Sequence, residues 1–209
     1  MTSRYDEVRA RMNVGEPYVD MGEGLEALEA ERTHGKELLY DYNLTRPAQA
    51  EERDRLLREL LGAMGESVWI EPPFLAAYGS HTYIGERFYA NFNLVIVDDA
   101  DVHIGDRVMF GPNVTITTAG HPVEPSLRAD GTQFSLPVHI EDDVWLGGNV
   151  VVMPGVTIGA GSVVGAGSIV TRDIPSRVVA VGVPCRVVRP IGPEDQALRM
   201  RQPGQAKTS

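Results

Sequence analysis

Between Ile84 and Pro175 the chain repeats itself every six residues. Ile140, Leu146, Val152, Ile158, Val164 and Val170 each open a step, and Val144, Val150, Val156, Ser162, Ser168 and Ile174 stand four places further on. A period of two would give a plain strand and one of about 3.6 a helix. A period of six with two fixed sites fits neither. It fits a hexapeptide β-helix, in which a short strand and a turn make one side of a triangular coil. Three steps complete a turn, so each opener stacks on the opener three steps later and the column fills the core. Glycine follows many openers, as at Gly85, Gly105, Gly111, Gly147, Gly159 and Gly165, where a tight backbone bend is expected. A β-sandwich would instead alternate over longer strands, with turns every eight to twelve residues or so. The unbroken run from Ile140 to Ile174 argues against it.

The repeat is interrupted twice. Val102 and His103 shift the frame by two before Ile104, and a longer break runs from about Thr118 to His139. The second break is rich in turn chemistry (Gly120-His121-Pro122, Asp130-Gly131, Pro137), which predicts a loop thrown out of the coil. Loops on a rigid scaffold are where function concentrates.

Ahead of the repeat the pattern is helical. Ser3 to Met12 is short and charged, Glu23 to Arg32 carries Leu25 and Leu28 on one face, and Pro47 to Met64 spaces Leu56, Leu57, Leu60 and Leu61 helically. These helices are too small for a core of their own and are expected to pack on the β-helix or on a neighbouring subunit. The organisation is then a helical leader over 1–64, a β-helix over 65–190 with a loop at 118–139, and a frayed tail over 191–209.

The net charge of -10 argues against nucleic acid as a partner, because phosphate binding needs a basic face. No apolar run reaches the length of a membrane span, and the start Met1-Thr2-Ser3-Arg4 is not that of a signal peptide. The single cysteine, Cys185, has no internal partner and suits a reducing, cytoplasmic setting.

Of the five histidines, His34, His81, His103 and His139 read as surface or packing residues. His121 differs, because it stands at the root of the ejected loop, beside the end of a coil. An imidazole there can take a proton from an alcohol near neutral pH.

The run Phe88-Tyr89-Ala90-Asn91-Phe92-Asn93, then Asp98-Asp99, then Gly120-His121-Pro122-Val123, resembles the galactoside/maltose O-acetyltransferase family. So do the ending Gly159 to Pro175, the segment Gly182-Val183-Pro184-Cys185-Arg186-Val187-Val188-Arg189, and Asp20-Met21-Gly22-Glu23-Gly24-Leu25 with Gly35-Lys36 in the leader. The resemblance implies a mainly β, left-handed parallel β-helix, a homotrimer with active sites between subunits, and direct transfer of acetyl from acetyl-CoA to a sugar hydroxyl without an acyl-enzyme. It makes His121 the general base and Asn91 the oxyanion donor, while Asn93 reads as a turn asparagine. Asp20, Arg32, Ala77 and Asp99 fall at acceptor-binding positions. Trp145, Gly148, Ala166, Thr171 and Arg172 fall along the CoA site. Arg186 and Arg189, with Arg172, add a basic cluster suited to phosphate. The reaction requires no metal.

Three positions depart from the family pattern. Ala77 stands where galactoside-type members carry Ser and maltose-type members tend to carry Asp, Gln133 replaces a Met, and Gly148 replaces a Ser. A contact through the Gly148 N–H survives, whereas Ala77 cannot hydrogen-bond a sugar. Three rival readings remain: a hexapeptide acetyltransferase for an amino acid, amino sugar or antibiotic; a zinc hydratase on the same coil; and a non-catalytic scaffold. Zinc needs three well-placed imidazoles, and the histidines here lack the close paired spacing.

Overall fold

The computed structural model describes residues 3–196, and the expected parallel β-helix is present as a solenoid of about six turns. Its first sheet stacks Ala63–Met64, Thr82–Ile84, Val102–Ile104, Val138–Ile140 and Thr157–Ile158. The second stacks Trp69–Ile70, Tyr89–Ala90, Met109–Phe110, Trp145–Leu146, Val163–Val164 and Val178–Val181, with Arg186–Pro190 returning antiparallel at its end. The third stacks Phe74–Ala76, Leu94–Val97, Thr115–Thr117, Val151–Val152 and Ile169–Val170. Ile140 pairs with Ile104 and Ile158, Leu146 with Phe110 and Val164, and Val152 with Ile116 and Val170. Openers therefore stack three steps apart, and each of these side chains is buried.

The reason for the glycine after many of the openers differs from the expected bend. No positive φ occurs at Gly85, Gly105, Gly111, Gly147, Gly159 or Gly165. The left-handed residues lie two places later, at Arg87, Arg107, Asn113, Asn149, Gly161 and Gly167. What the glycines provide is close approach of successive coils. A Cβ on Gly85 would lie 2.7 Å from the Gly105 carbonyl carbon and 2.4 Å from Asp106 Oδ1. Gly85→Ala is expected to destabilise the fold by about 1–3 kcal/mol through overpacking. A denaturation midpoint equal to wild type would show that the coils can part at no cost.

The two-residue frame shift leaves the register intact, because Ile84 still pairs with Ile104. The extra residues enlarge the corner that leaves the third sheet, at Asp98 to Asp101. The later break emerges at the same corner one coil on. It is an arm and not an open loop: Ala119–Gly120 pairs antiparallel with Phe134–Ser135, and Val138–Ile140 has already rejoined the first sheet. There His139 stacks on His103 at 5.0 Å, and His103 on Tyr83 at 4.9 Å.

Three helices cap the solenoid: α1 (Arg4–Met12), α2 (Glu26–Leu44) and α3 (Ala50–Leu60). Ser3 caps α1 through a reciprocal pair of bonds with Asp6. The second helix starts later than Glu23, because Gly22 and Gly24 hold positive φ, and it runs well past Arg32. It passes through Gly35, where a Cβ would sit 2.0 Å from the Tyr78 carbonyl oxygen, so a residue that ordinarily weakens a helix here permits its docking. α3 begins at Ala50 and not in the Pro47 turn, and the strand Ala63–Met64 already belongs to the first sheet. Leu38, Leu39, Tyr42, Leu56, Leu57, Leu60 and Leu61 join the solenoid core, while Val8, Met12, Tyr18, Leu25, Leu28 and Tyr78 form a second cluster. Of the expected tail, Pro193–Gln196 is a short 3-10 turn in which Asp195 pairs with Arg189; residues 197–209 lie outside the described residues. Among the described residues no helix is long and apolar enough to cross a membrane.

Candidate active site

The corner leaving the third sheet is built on Asp98. Its buried carboxylate accepts from Tyr78 N at 2.9 Å, Gly79 N at 2.8 Å and Thr82 Oγ1 at 3.0 Å, tying the first coil to the second. Asp99 follows, 7% exposed, with Oδ1 3.4 Å from Gln133 Nε2. Burial, reinforced by Asp20 and Asp98, pushes its carboxyl up to about 6. From α2 the Arg32 guanidinium pairs with Asp20 and donates to the Tyr78 hydroxyl at 2.6 Å. Ala77 is partly buried beside Tyr78, against the cluster of Tyr18, Leu25 and Leu28. The leader is held to the arm by main-chain bonds of 2.9 Å in both directions between Tyr18 and Gln133. Asp20, Arg32, Ala77 and Asp99, separated in sequence, are thus brought to one corner.

His121 stands on the arm at that corner and is exposed. Its Nδ1 lies 2.9 Å from the Thr132 carbonyl oxygen, an acceptor, so the neutral ring carries its proton on Nδ1 and presents a lone pair at Nε2. The contact has its own support. Asp130 accepts from Thr132 Oγ1 at 2.6 Å and Thr132 N at 3.0 Å, and Arg128 donates to the Pro122 and Val123 carbonyls at 2.8 and 2.6 Å.

A second group of residues lies elsewhere. Asn91 leaves the second sheet, at the next corner of the triangle. Its Oδ1 accepts from Phe92 N at 2.8 Å, and Nδ2 donates to nothing among the described residues. Asn93, Asn113 and Asn149 stack below it as a ladder of left-handed turn residues, with bonds of 2.9 and 3.2 Å. On the outer face of the second sheet Tyr89, Met109 and Trp145 stand in register, at 37%, 50% and 51% exposure. The corner beside Trp145 carries Gly148 and Ala166, whose N–H groups have no acceptor among the described residues. Arg186 and Arg189 end the same sheet. Arg189 is engaged by Asp195 at 2.6 and 2.8 Å, and Arg186 donates to the Cys185 carbonyl at 2.7 Å. Thr171 and Arg172 are exposed at the corner leaving the third sheet, as His121 is, but two coils beyond the arm.

The candidate residues therefore fall into two sets. Asn91, Trp145, Gly148, Ala166, Arg186 and Arg189 line the second sheet and its corner; His121, Asp20, Arg32, Ala77 and Asp99 line the corner of the third, where Thr171 and Arg172 also stand, two coils further on. One chain does not bring Asn91 and His121 together. Sequence reasoning passed over Tyr78 and Glu31, and read His81 only as a surface or packing residue. The frame break marks the corner at Asp98 to which Tyr78 and His81 are bonded, whereas Glu31, on α2, leaves no such signal. Among the described residues no three histidine, cysteine or acidic side chains gather as a metal site.

Comparison with known proteins bears on this arrangement. Residues 11–65 match the maltose acetyltransferase hexapeptide capping motif, and 137–172 match the bacterial transferase hexapeptide of six repeats. The chain is 50% identical over 186 residues to the galactoside O-acetyltransferase of Escherichia coli (strain K12), covering 89% of this chain and 90% of that protein. Among solved structures, a galactoside acetyltransferase in complex with coenzyme A superposes with a TM-score of 0.89 at 48% identity, over 93% of this chain and 96% of that one. A hexapeptide-repeat acetyltransferase of Vibrio cholerae O1 biovar eltor, complexed with acetyl coenzyme A, superposes at 0.80 with 37% identity, over 88% and 97%.

Proposed function

The chain belongs to the galactoside/maltose O-acetyltransferase family of hexapeptide-repeat proteins, and from that premise we propose that it moves acetyl from acetyl-CoA to the 6-hydroxyl of a hexopyranoside. His121 Nε2 takes the proton of the attacking hydroxyl as its oxygen bonds to the thioester carbonyl carbon. The resulting oxyanion accepts from Asn91 Nδ2, a type of donor worth about 3 kcal/mol in the transition state. The tetrahedral intermediate collapses, the C–S bond breaks, and the CoA thiolate leaves and recovers the proton from His121. No bond to the enzyme forms. The observation that carries this reading is the His121 ring, fixed through Nδ1 with Nε2 free.

The complete site is formed between subunits of a homotrimer, the assembly that the family resemblance implies; the standing of Asn91 and His121 at different corners of one chain supports this reading. Asp20, Arg32 and Asp99 orient the sugar. Trp145 lies along the pantetheine arm with the N–H groups of Gly148 and Ala166, while Thr171, Arg172, Arg186 and Arg189 serve the nucleotide and its phosphates. The unpaired Cys185 fits a cytoplasmic enzyme.

The test is CoA-thiol release from acetyl-CoA across a panel of hexosides and amines, with NMR of the product. Acetyl on the exocyclic oxygen is expected, with weak use of simple galactosides and glucosides. Ala77→Ser should improve one of them by about two- to tenfold, the worth of one regained hydrogen bond. Transfer to amines alone would instead identify an enzyme acting on an amino acid, amino sugar or antibiotic. On the CoA side, Arg186→Ala is expected to weaken CoA binding about tenfold. Arg189→Ala should do less, because Asp195 already shares that guanidinium. Calorimetry giving wild-type affinity for both variants would return these arginines to the solvated surface.

A further inference from the structure

Glu31 precedes Arg32 on α2. Its Oε1 accepts from Ser80 Oγ at 2.7 Å and lies 3.2 Å from His81 Nε2, and its Oε2 accepts from the Tyr5 hydroxyl at 3.1 Å. One carboxylate thus ties α2 both to the enlarged corner of the solenoid and to α1. His81 is 2% exposed and held on its other side, with Nδ1 2.7 Å from the Asp98 carbonyl oxygen and 3.3 Å from Arg9 Nη1. Its ring stacks on Tyr78 at 4.5 Å, the same tyrosine whose hydroxyl receives Arg32. Hydrogen bonding from His81, helped by Ser80 and Tyr5 and opposed by burial, holds the Glu31 carboxyl down at about 2, so it is ionised at neutral pH. No step of the proposed reaction uses Glu31 or His81. A guanidinium on a long, flexible stem recognises a hydroxyl only as well as its own anchorage allows.

We propose that Glu31 is a positioning residue: by clamping α2 to Ser80 and His81, it sets the Arg32 guanidinium against Asp20 and Tyr78 at the acceptor end of the site. The inference rests on the reading that Arg32 meets the sugar.

The experiment compares Glu31→Ala, the isosteric Glu31→Gln, Arg32→Ala and the Glu31→Ala/Arg32→Ala double variant. For Glu31→Ala the acceptor KM should rise about tenfold, with kcat at saturating acceptor and the acetyl-CoA KM within about twofold of wild type. Glu31→Gln, which can still accept from Ser80 and Tyr5, should lie between, and it serves if the alanine variant fails to fold. The double variant should be no worse than Arg32→Ala, since one residue acts through the other. A second readout needs no turnover: phenylglyoxal modification of Arg32, followed by peptide mass spectrometry, should be several-fold faster in Glu31→Ala. Additive losses in the double variant, or unchanged KM with unchanged labelling, overturn the proposal. Faster labelling with an unchanged acceptor KM would support the clamp but overturn the acceptor role of Arg32. If no sugar is turned over by the wild type, the proposed function falls, and the labelling rates still decide the clamp.

Discussion

Replacing His121 by alanine is expected to lower kcat by about two to four orders of magnitude, the range usual for loss of a general base. The acetyl-CoA KM should stay near the wild-type value, because none of the CoA candidates stands on the arm. The size of the effect follows from geometry. The Thr132 carbonyl fixes Nδ1 as the protonated nitrogen, and Asp130 fixes Thr132, so a lone pair at Nε2 is held in place before the acceptor arrives. Alanine removes the base while leaving the Ala119–Gly120 to Phe134–Ser135 pairing that builds the arm. Steady-state kinetics on a variant with wild-type sedimentation would decide the matter. Turnover within a few-fold of wild type would exclude His121 as the base.

The second large effect concerns assembly. His121→Ala and Asn91→Ala should each be nearly inactive alone, yet co-refolding them in equal amounts should restore activity. If each site takes His121 from one subunit and Asn91 from its neighbour, about one site in four of a randomly mixed trimer carries both intact residues. Activity near a quarter of wild type is therefore expected, from two preparations that have almost none. Sedimentation should give a trimer throughout. Mixed trimers without recovered activity would place both residues of a site on one chain, against the division between two corners seen here. A stable, active monomer would do the same.

Much of this was legible in the sequence because the solenoid is written in a local code. Each opener meets the residue three steps away, so Ile140, Ile158 and their like announce both their burial and their partners. The place of His121 was legible for a related reason: a Gly-His-Pro at the point where the period fails marks the root of the arm. The glycines after the openers were noticed for the wrong cause. Gly85 is required by the backbone of the adjacent coil, and a tight bend and a close approach leave the same letter in a sequence. The apolar face of Leu25 and Leu28 marks only the first part of the second helix; its continuation to Leu44 passes through Gly35, which the Tyr78 backbone requires there.

The sequence by itself determined the coil, its core column and the presence of a helical leader, because all three depend on neighbours a fixed, short distance away in the chain. Only the tertiary structure decided which corner each candidate side chain occupies. Arg32 reaches Tyr78, Glu31 reaches His81, and Gln133 reaches Asp99 across long stretches of chain. Such contacts arise from helix docking and from where the frame breaks fall, and packing of that kind leaves no period to read. The separation of Asn91 from His121 is of the same origin. It follows from the triangular cross-section, in which a shift of one side carries a residue to another face of the molecule.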